Sequence, residues 1–110
     1  MKSALYSKRV VLKEEIKEAT IFIDGDRISA IENGLIHRSG YEIENCGNDV
    51  IMPGLIDSHV HINEPGRTDW EGFESATKSA AAGGITTLID MPLNSSPVTT
   101  SVAAFEKKLD

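Results

Sequence analysis

A short apolar run, then a helical pattern, then a second short β-branched run leave this chain few folds to choose from. Leu55–Ile62 reads as a strand entered from the turn Met52-Pro53-Gly54. Trp70, Phe73, Thr77, Ala80 and Ala81 then recur at helical spacing. Thr68-Asp69-Trp70-Glu71 has the spacing of a capping box for that helix, and Gly83-Gly84 ends it. Ile85–Ile89 is the next strand, and Met91–Pro97 is a loop. Ser101 then suits the N-cap of a last helix carrying Val102, Phe105 and Leu109 on one face. Two strands joined through a helix run parallel, whereas a two-residue turn would suffice for an antiparallel pair. Strand, helix, strand, helix is the repeating unit of a parallel α/β fold.

Residues 1–50 have a different texture. Leu5–Leu12 is apolar and β-branched, and Thr20–Ile23 is followed by Asp24-Gly25-Asp26 and then Arg27–Ile31. Asp-Gly between two apolar runs predicts a hairpin. Gly34 and Gly40 mark loops, and Tyr41–Glu44 alternates as a half-buried strand does. The mixed-charge cluster Lys13–Glu18 reads as a solvated turn or short helix. The expected organisation is therefore a small β-rich, sandwich-like domain over residues 1–50 and a parallel α/β segment over residues 51–110.

Charge and composition narrow the partners. There are 11 Lys and Arg against 17 Asp and Glu, a net charge of −6. Without a basic patch, a phosphate backbone is not an expected partner, so no nucleic acid is anticipated. No apolar run approaches the roughly 18 residues of a membrane span. Residues 1–9 lack the apolar core of a secretory signal. The single cysteine, Cys46, leaves no intrachain disulfide and no cysteine metal cage, which fits a reducing, cytoplasmic setting.

The chemistry gathers in Asp57-Ser58-His59-Val60-His61. Alternate strand residues share a face, so Asp57, His59 and His61 fall together, spaced by about 6–7 Å. Two imidazoles so placed can converge on one divalent cation. The same pattern also suits two histidines on a strand edge with no ligand. Asn63 has the parity of the histidines and stands just past the strand. His37, between Ile36 and Arg38, reads as a surface residue.

Three further stretches occur in order around this motif: Asn63-Glu64-Pro65-Gly66-Arg67 through Glu74, Ala80-Ala81-Ala82-Gly83-Gly84-Ile85-Thr86-Thr87-Leu88-Ile89-Asp90, and Met91-Pro92-Leu93-Asn94. In these motifs the chain resembles the cyclic amidohydrolases, and within them the allantoinase branch. The resemblance is strong over residues 51–100 and looser over residues 1–50. It implies an α/β fold in which residues 51–110 are the first two βα units of a metal-dependent-hydrolase TIM barrel. Such a barrel needs eight strands and about 250 residues. The expectation is thus an N-terminal part of a longer enzyme, inactive alone.

The resemblance also implies roles. His59 and His61 would be ligands of one ion in a centre of two divalent metals, zinc by preference, with cobalt or manganese as alternatives. A carboxylated lysine would bridge the two ions, and Lys78, Lys107 and Lys108 are not candidates for it. Water activated there would open the hydantoin ring of allantoin to allantoate, a step of purine breakdown. Asp57 is expected to orient an imidazole from behind, or to be only structural. Asn63 and Asn94 are expected to contact substrate, with turn formation and loop capping as their plainer readings. In the related dihydroorotases the position of Asn63 is usually arginine, which grips a carboxylate. The alternatives are a dihydroorotase or hydantoinase, and a non-catalytic relative of dihydropyrimidinase. A small-molecule substrate and a homo-oligomer, a tetramer, complete the implied picture.

Overall fold

The computed structural model describes residues 2–110 and divides into two compact units, one ending at Pro53 and the other spanning Gly54–Asp110. The first contains β1 (Lys2–Val11), β2 (Ile16–Asp24), β3 (Arg27–Asn33), β4 (Glu42–Asn45) and β5 (Val50–Ile51). They form one five-stranded sheet in the order β3-β2-β1-β4, with β5 also pairing β1. β1 is antiparallel to β2 and parallel to β4 and β5. Gly25, at φ 64°, makes the expected turn between β2 and β3. The charged cluster does not stay a turn: β2 already starts at Ile16, because its backbone is claimed by Val11 across the sheet.

Alternation decides the packing of this sheet. Ala4, Tyr6, Thr20 and Phe22 face each other across β1 and β2 and are all buried. Tyr41 meets the Phe22 ring edge-on at 5.0 Å, and the Arg38 guanidinium lies 4.2 Å from its centroid. On the neighbouring positions Val10, Ala19 and Ile21 form a second cluster with Leu12, Ile23 and Ile51. Tyr6 donates to Glu18, and this bond, burial and the Glu18 charge all push the phenol pKa up. Burial, with Glu44 and Asp49 nearby, likewise raises the Cys46 thiol.

The second unit contains β6 (Leu55–Val60), α1 (Phe73–Ala82), β7 (Ile85–Asp90) and α2 (Val102–Leu109). β6 and β7 pair in parallel as a two-stranded sheet, with register shifts between Leu55 and Ile56 and between Asp57 and Val60. The order strand, helix, strand, helix is the one anticipated. Ser101 caps α2 as expected, its hydroxyl accepting from the Ala104 N–H at 3.2 Å.

α1 begins later than the Thr68 to Glu71 pattern implies. Residues 68–70 are turn, and Trp70 is 74% exposed rather than on a buried helix face. The Glu71 carbonyl is taken by the Asn63 N–H at 2.8 Å. The N-cap is Gly72, which has no side chain to offer, so Glu64 reaches in from the preceding loop. Its Oε2 accepts the Phe73 N–H at 2.8 Å. Ser75 Oγ accepts the Gly72 N–H at 3.2 Å, completing the first turn. A negative carboxylate there also matches the helix dipole.

The loops after the two strands touch. The Ser96 N–H donates to the Pro65 carbonyl at 2.7 Å. Gly66 sits at φ 90°, and a Cβ on it would stand 2.5 Å from the Ser96 carbonyl oxygen. Glycine is required at that approach.

Two outcomes follow from this fold. Removing the cap with Glu64→Ala should cost about 1 kcal/mol, read as a lower urea midpoint with unchanged slope in the protein that carries this chain. Residues 1–110 expressed alone should self-associate, because Val102, Phe105 and Leu109 are 73%, 51% and 69% exposed and the β6–β7 pair has free edges. Light scattering behind a sizing column checks this, and a sharp monomer peak with a cooperative melt would contradict it.

Candidate metal centre

Parallel pairing brings the ends of β6 and β7 to one edge of their sheet. His59 is the penultimate residue of β6, and His61 and Asn63 lie just beyond it. Asn94 lies in the loop that follows β7 and is half-buried. The sequence candidates thus gather at the C-terminal ends of two parallel strands, where barrel enzymes place their chemistry.

The two imidazoles converge. His59 Nε2 and His61 Nε2 are 3.2 Å apart, with ring centroids at 5.1 Å and planes at 70°. Nitrogen binds zinc at about 2.0–2.1 Å, so two nitrogens of one tetrahedral ion stand about 3.3 Å apart. The observed spacing fits one shared cation. Both rings are exposed, and His61 borders a cavity of about 270 Å³ between α1 and the sheet. Among the described residues no group of three or more His, Cys, Asp and Glu could enclose a metal. The unit therefore offers a candidate pair of ligands, not a complete set.

Asp57 acts on this pair through the backbone rather than through a ring. Its Oδ1 accepts the N–H of His59 at 3.1 Å, an Asx turn two residues long. The register shift between Asp57 and Val60 removes the ladder partner that His59 would otherwise use, and the carboxylate replaces it. The expected imidazole contact is not the one formed.

Asn63 is 7% exposed, and its Oδ1 has no hydrogen-bond partner among the described residues. A buried acceptor left unmatched costs about 1–3 kcal/mol, so such atoms call for an explanation. A turn-forming asparagine would use that oxygen on its own backbone. Here the Asn63 carbonyl, not its side chain, accepts the Arg67 N–H at 3.0 Å.

Two residues carry more of the site than their sequence context suggests. Asp90 Oδ1 accepts the Ile62 N–H at 2.8 Å, and its Oδ2 pairs with Lys108 Nζ at 2.7 Å. Lys108 Nζ also donates to the Ile62 carbonyl at 3.2 Å. The Lys108 side chain is 9% exposed, so this is a nearly buried ion pair. Asp90 and Ile62 are 28 residues apart and Lys108 and Ile62 are 46 apart, so no local pattern announces the contact. The only available signal was Asp90 ending an apolar strand.

The structure shows a parallel βα pair with a His-x-His motif at its strand end, and the comparison with known proteins gives the class. Residues 50–109 match the Amidohydrolase family, and the chain belongs to it. Among relatives, an allantoinase from Streptomyces avermitilis is 49% identical over 110 residues, covering 96% of this chain and 24% of its own length. A mitochondrial allantoinase from Aquarana catesbeiana is 51% identical, covering 97% and 22%. The chain thus spans about a quarter of the curated relatives it matches. Among solved structures, L-hydantoinase from Arthrobacter aurescens superposes with a TM-score of 0.80 at 34% identity, covering 96% of this chain and 24% of that one. Dihydropyrimidinase from Brevibacillus agri gives 0.74 at 28%, covering 96% and 23%. The fold is that of the N-terminal part of these enzymes: a small strand-rich unit and the opening βα units of the barrel. The family implies a metal-dependent enzyme. No helix among the described residues is long and apolar enough to cross a membrane.

The Asx turn can be separated from an effect on the imidazole. Asp57→Asn keeps an oxygen for the His59 N–H and should retain zinc affinity within about threefold, whereas Asp57→Ala should lose about tenfold or more. A chelator competition assay decides. An equal loss in both variants would mean that the charge, not the turn, is what matters.

Proposed function

We propose that this chain forms part of a cyclic amidohydrolase of the allantoinase type, which opens the hydantoin ring of allantoin with water to give allantoate. The observation that carries the reading is the identity of 49–51% to allantoinases over nearly the whole chain, site segment included. Asn63 supports it on physical grounds. Its buried, unpaired Oδ1 needs a donor, and a cyclic ureide offers ring N–H groups. A ring carboxylate placed at that oxygen would meet only repulsion. A charged arginine fork at this position would reverse the preference.

In the proposed reaction His59 and His61 would hold a divalent cation through Nε2, with Asp57 fixing the backbone between strand and histidines. Zinc suits imidazole ligands, and cobalt or manganese could replace it. When bound, the metal centre supplies Lewis acidity to the ring carbonyl and to the attacking water. Asn63 orients the ring by accepting one of its N–H groups, and Asn94 reaches the same edge from the loop after β7. The remaining ligands, a carboxylated lysine among them, would come from other strands of the barrel. Lys78 does not serve as that lysine, since it pairs with Glu74 at 2.5 Å on α1. Lys108 is likewise engaged by Asp90. The whole enzyme is proposed to act as a cytoplasmic homo-oligomer, a tetramer, on a small molecule, without nucleic acid or membrane as partner.

A hydantoinase is the second reading, favoured by the L-hydantoinase superposition. Its 34% identity is well below that to the allantoinases. A non-catalytic relative would have no use for two converging imidazoles.

The test uses the protein that carries this chain, metal-loaded and assayed on allantoin, on unsubstituted hydantoins and on dihydroorotate. Allantoate formation should dominate. His59→Ala and His61→Ala should each remove metal and lower kcat/KM by at least about 10³-fold. Asn63→Arg should keep metal and fold while weakening allantoin turnover by about 10–10²-fold. Unchanged allantoin kinetics in Asn63→Arg would make Asn63 a turn residue, and faster turnover of unsubstituted hydantoins would favour the second reading.

A further inference from the structure

We infer that Asp90 and Lys108 are positioning residues: together they clamp Ile62 and so set where His61 and Asn63 stand. The inference rests on the reading of His59 and His61 as metal ligands.

Ile62 is the link between the second imidazole and the substrate-facing amide. β6 ends at Val60, so Ile62 has left the strand ladder and its peptide groups have lost their sheet partners. Ile62 is nevertheless 3% exposed, and buried peptide groups must be satisfied. Both are, and by one ion pair. Asp90 Oδ1 takes the N–H at 2.8 Å, and Lys108 Nζ gives to the carbonyl at 3.2 Å. The two side chains are joined at 2.7 Å and are 18% and 9% exposed. Lys108 also lies 5.4 Å from the Phe73 ring centroid, which confines it further.

The pair spans three elements. Asp90 closes β7, Lys108 lies on the last turn of α2, and Ile62 belongs to the segment after β6. A residue held at its N–H and its carbonyl, with its side chain buried, has little freedom left. Its neighbours inherit that constraint: His61 on one side, Asn63 on the other. A surface ion pair contributes little, but breaking a nearly buried one strands a charge beside the site. The geometry therefore makes the second βα unit a support for ligands carried by the first.

The experiment measures zinc affinity by chelator competition, and the visible spectrum of the cobalt-substituted form, in the whole protein that carries this chain. Lys108→Met should lower zinc affinity by about 10–100-fold and change the cobalt spectrum. Asp90→Asn keeps one acceptor for Ile62 but loses the charge, and should fall between Lys108→Met and wild type. In Asp90→Asn/Lys108→Met the two losses should not add, since the single variants break one unit. Ser101→Ala is the control: it weakens the cap of the same helix without touching the clamp, and should leave affinity and spectrum unchanged.

Folded Lys108→Met with wild-type affinity and spectrum would overturn the proposal. So would an equal loss in Ser101→Ala, which would make the effect one of helix stability. If Lys108→Met does not fold, Asp90→Asn decides, and unchanged metal binding there overturns the proposal. Wild-type protein whose zinc affinity is indifferent to His59→Ala and His61→Ala would instead refute the ligand assignment, a result distinct from failure of the clamp.

Discussion

Parallel pairing of β6 with β7 is the constraint on which the chemistry of the second unit depends. It forces both strands to end at the same edge, so whatever follows them is delivered to one place. His59, His61 and Asn63 arrive from β6, and Asp90 and Asn94 arrive from β7. The connecting helix exists because a parallel pair needs a crossover. The loops then lock together where Ser96 meets Pro65 and Gly66 has no room for a side chain.

A second theme is the treatment of backbone groups where the ladder fails. The strand is irregular between Asp57 and Val60 and stops before the second histidine. Three carboxylates step in. Asp57 takes the His59 N–H, Asp90 takes the Ile62 N–H, and Glu64 takes the Phe73 N–H. Each converts a free peptide donor into a fixed point, and the first two stand on either side of the histidine pair. The segment around the histidine pair gains rigidity from carboxylates that hold backbone N–H groups.

How much of this could be read from the sequence depended on range. Strand and helix order came from periods of two and 3.6, which are local. The His-x-His pair was legible for the same reason: alternation alone puts the residues on one face. The start of α1 was not, because Gly72 has no capping side chain and its substitute, Glu64, lies in another loop. Thr68 and Glu71 imitate a capping box, but the Glu71 carbonyl is already held by Asn63. The role of Asp90 was invisible because both of its partners are distant in the chain. For Asp57, alternation gives the shared face with the histidines, while the bond it makes, to a peptide N–H rather than a ring, depends on a register shift that periodicity does not encode.

The central claim is that His59 and His61 bind one cation through Nε2. X-ray absorption at the zinc edge of the metal-loaded protein addresses it directly. The account predicts a nitrogen shell at about 2.0–2.1 Å with the outer scattering of imidazole, diminished when both histidines are replaced by alanine and any residual zinc is measured. An imidazole signal undiminished by the double replacement would contradict it, since the metal would then be held by other residues.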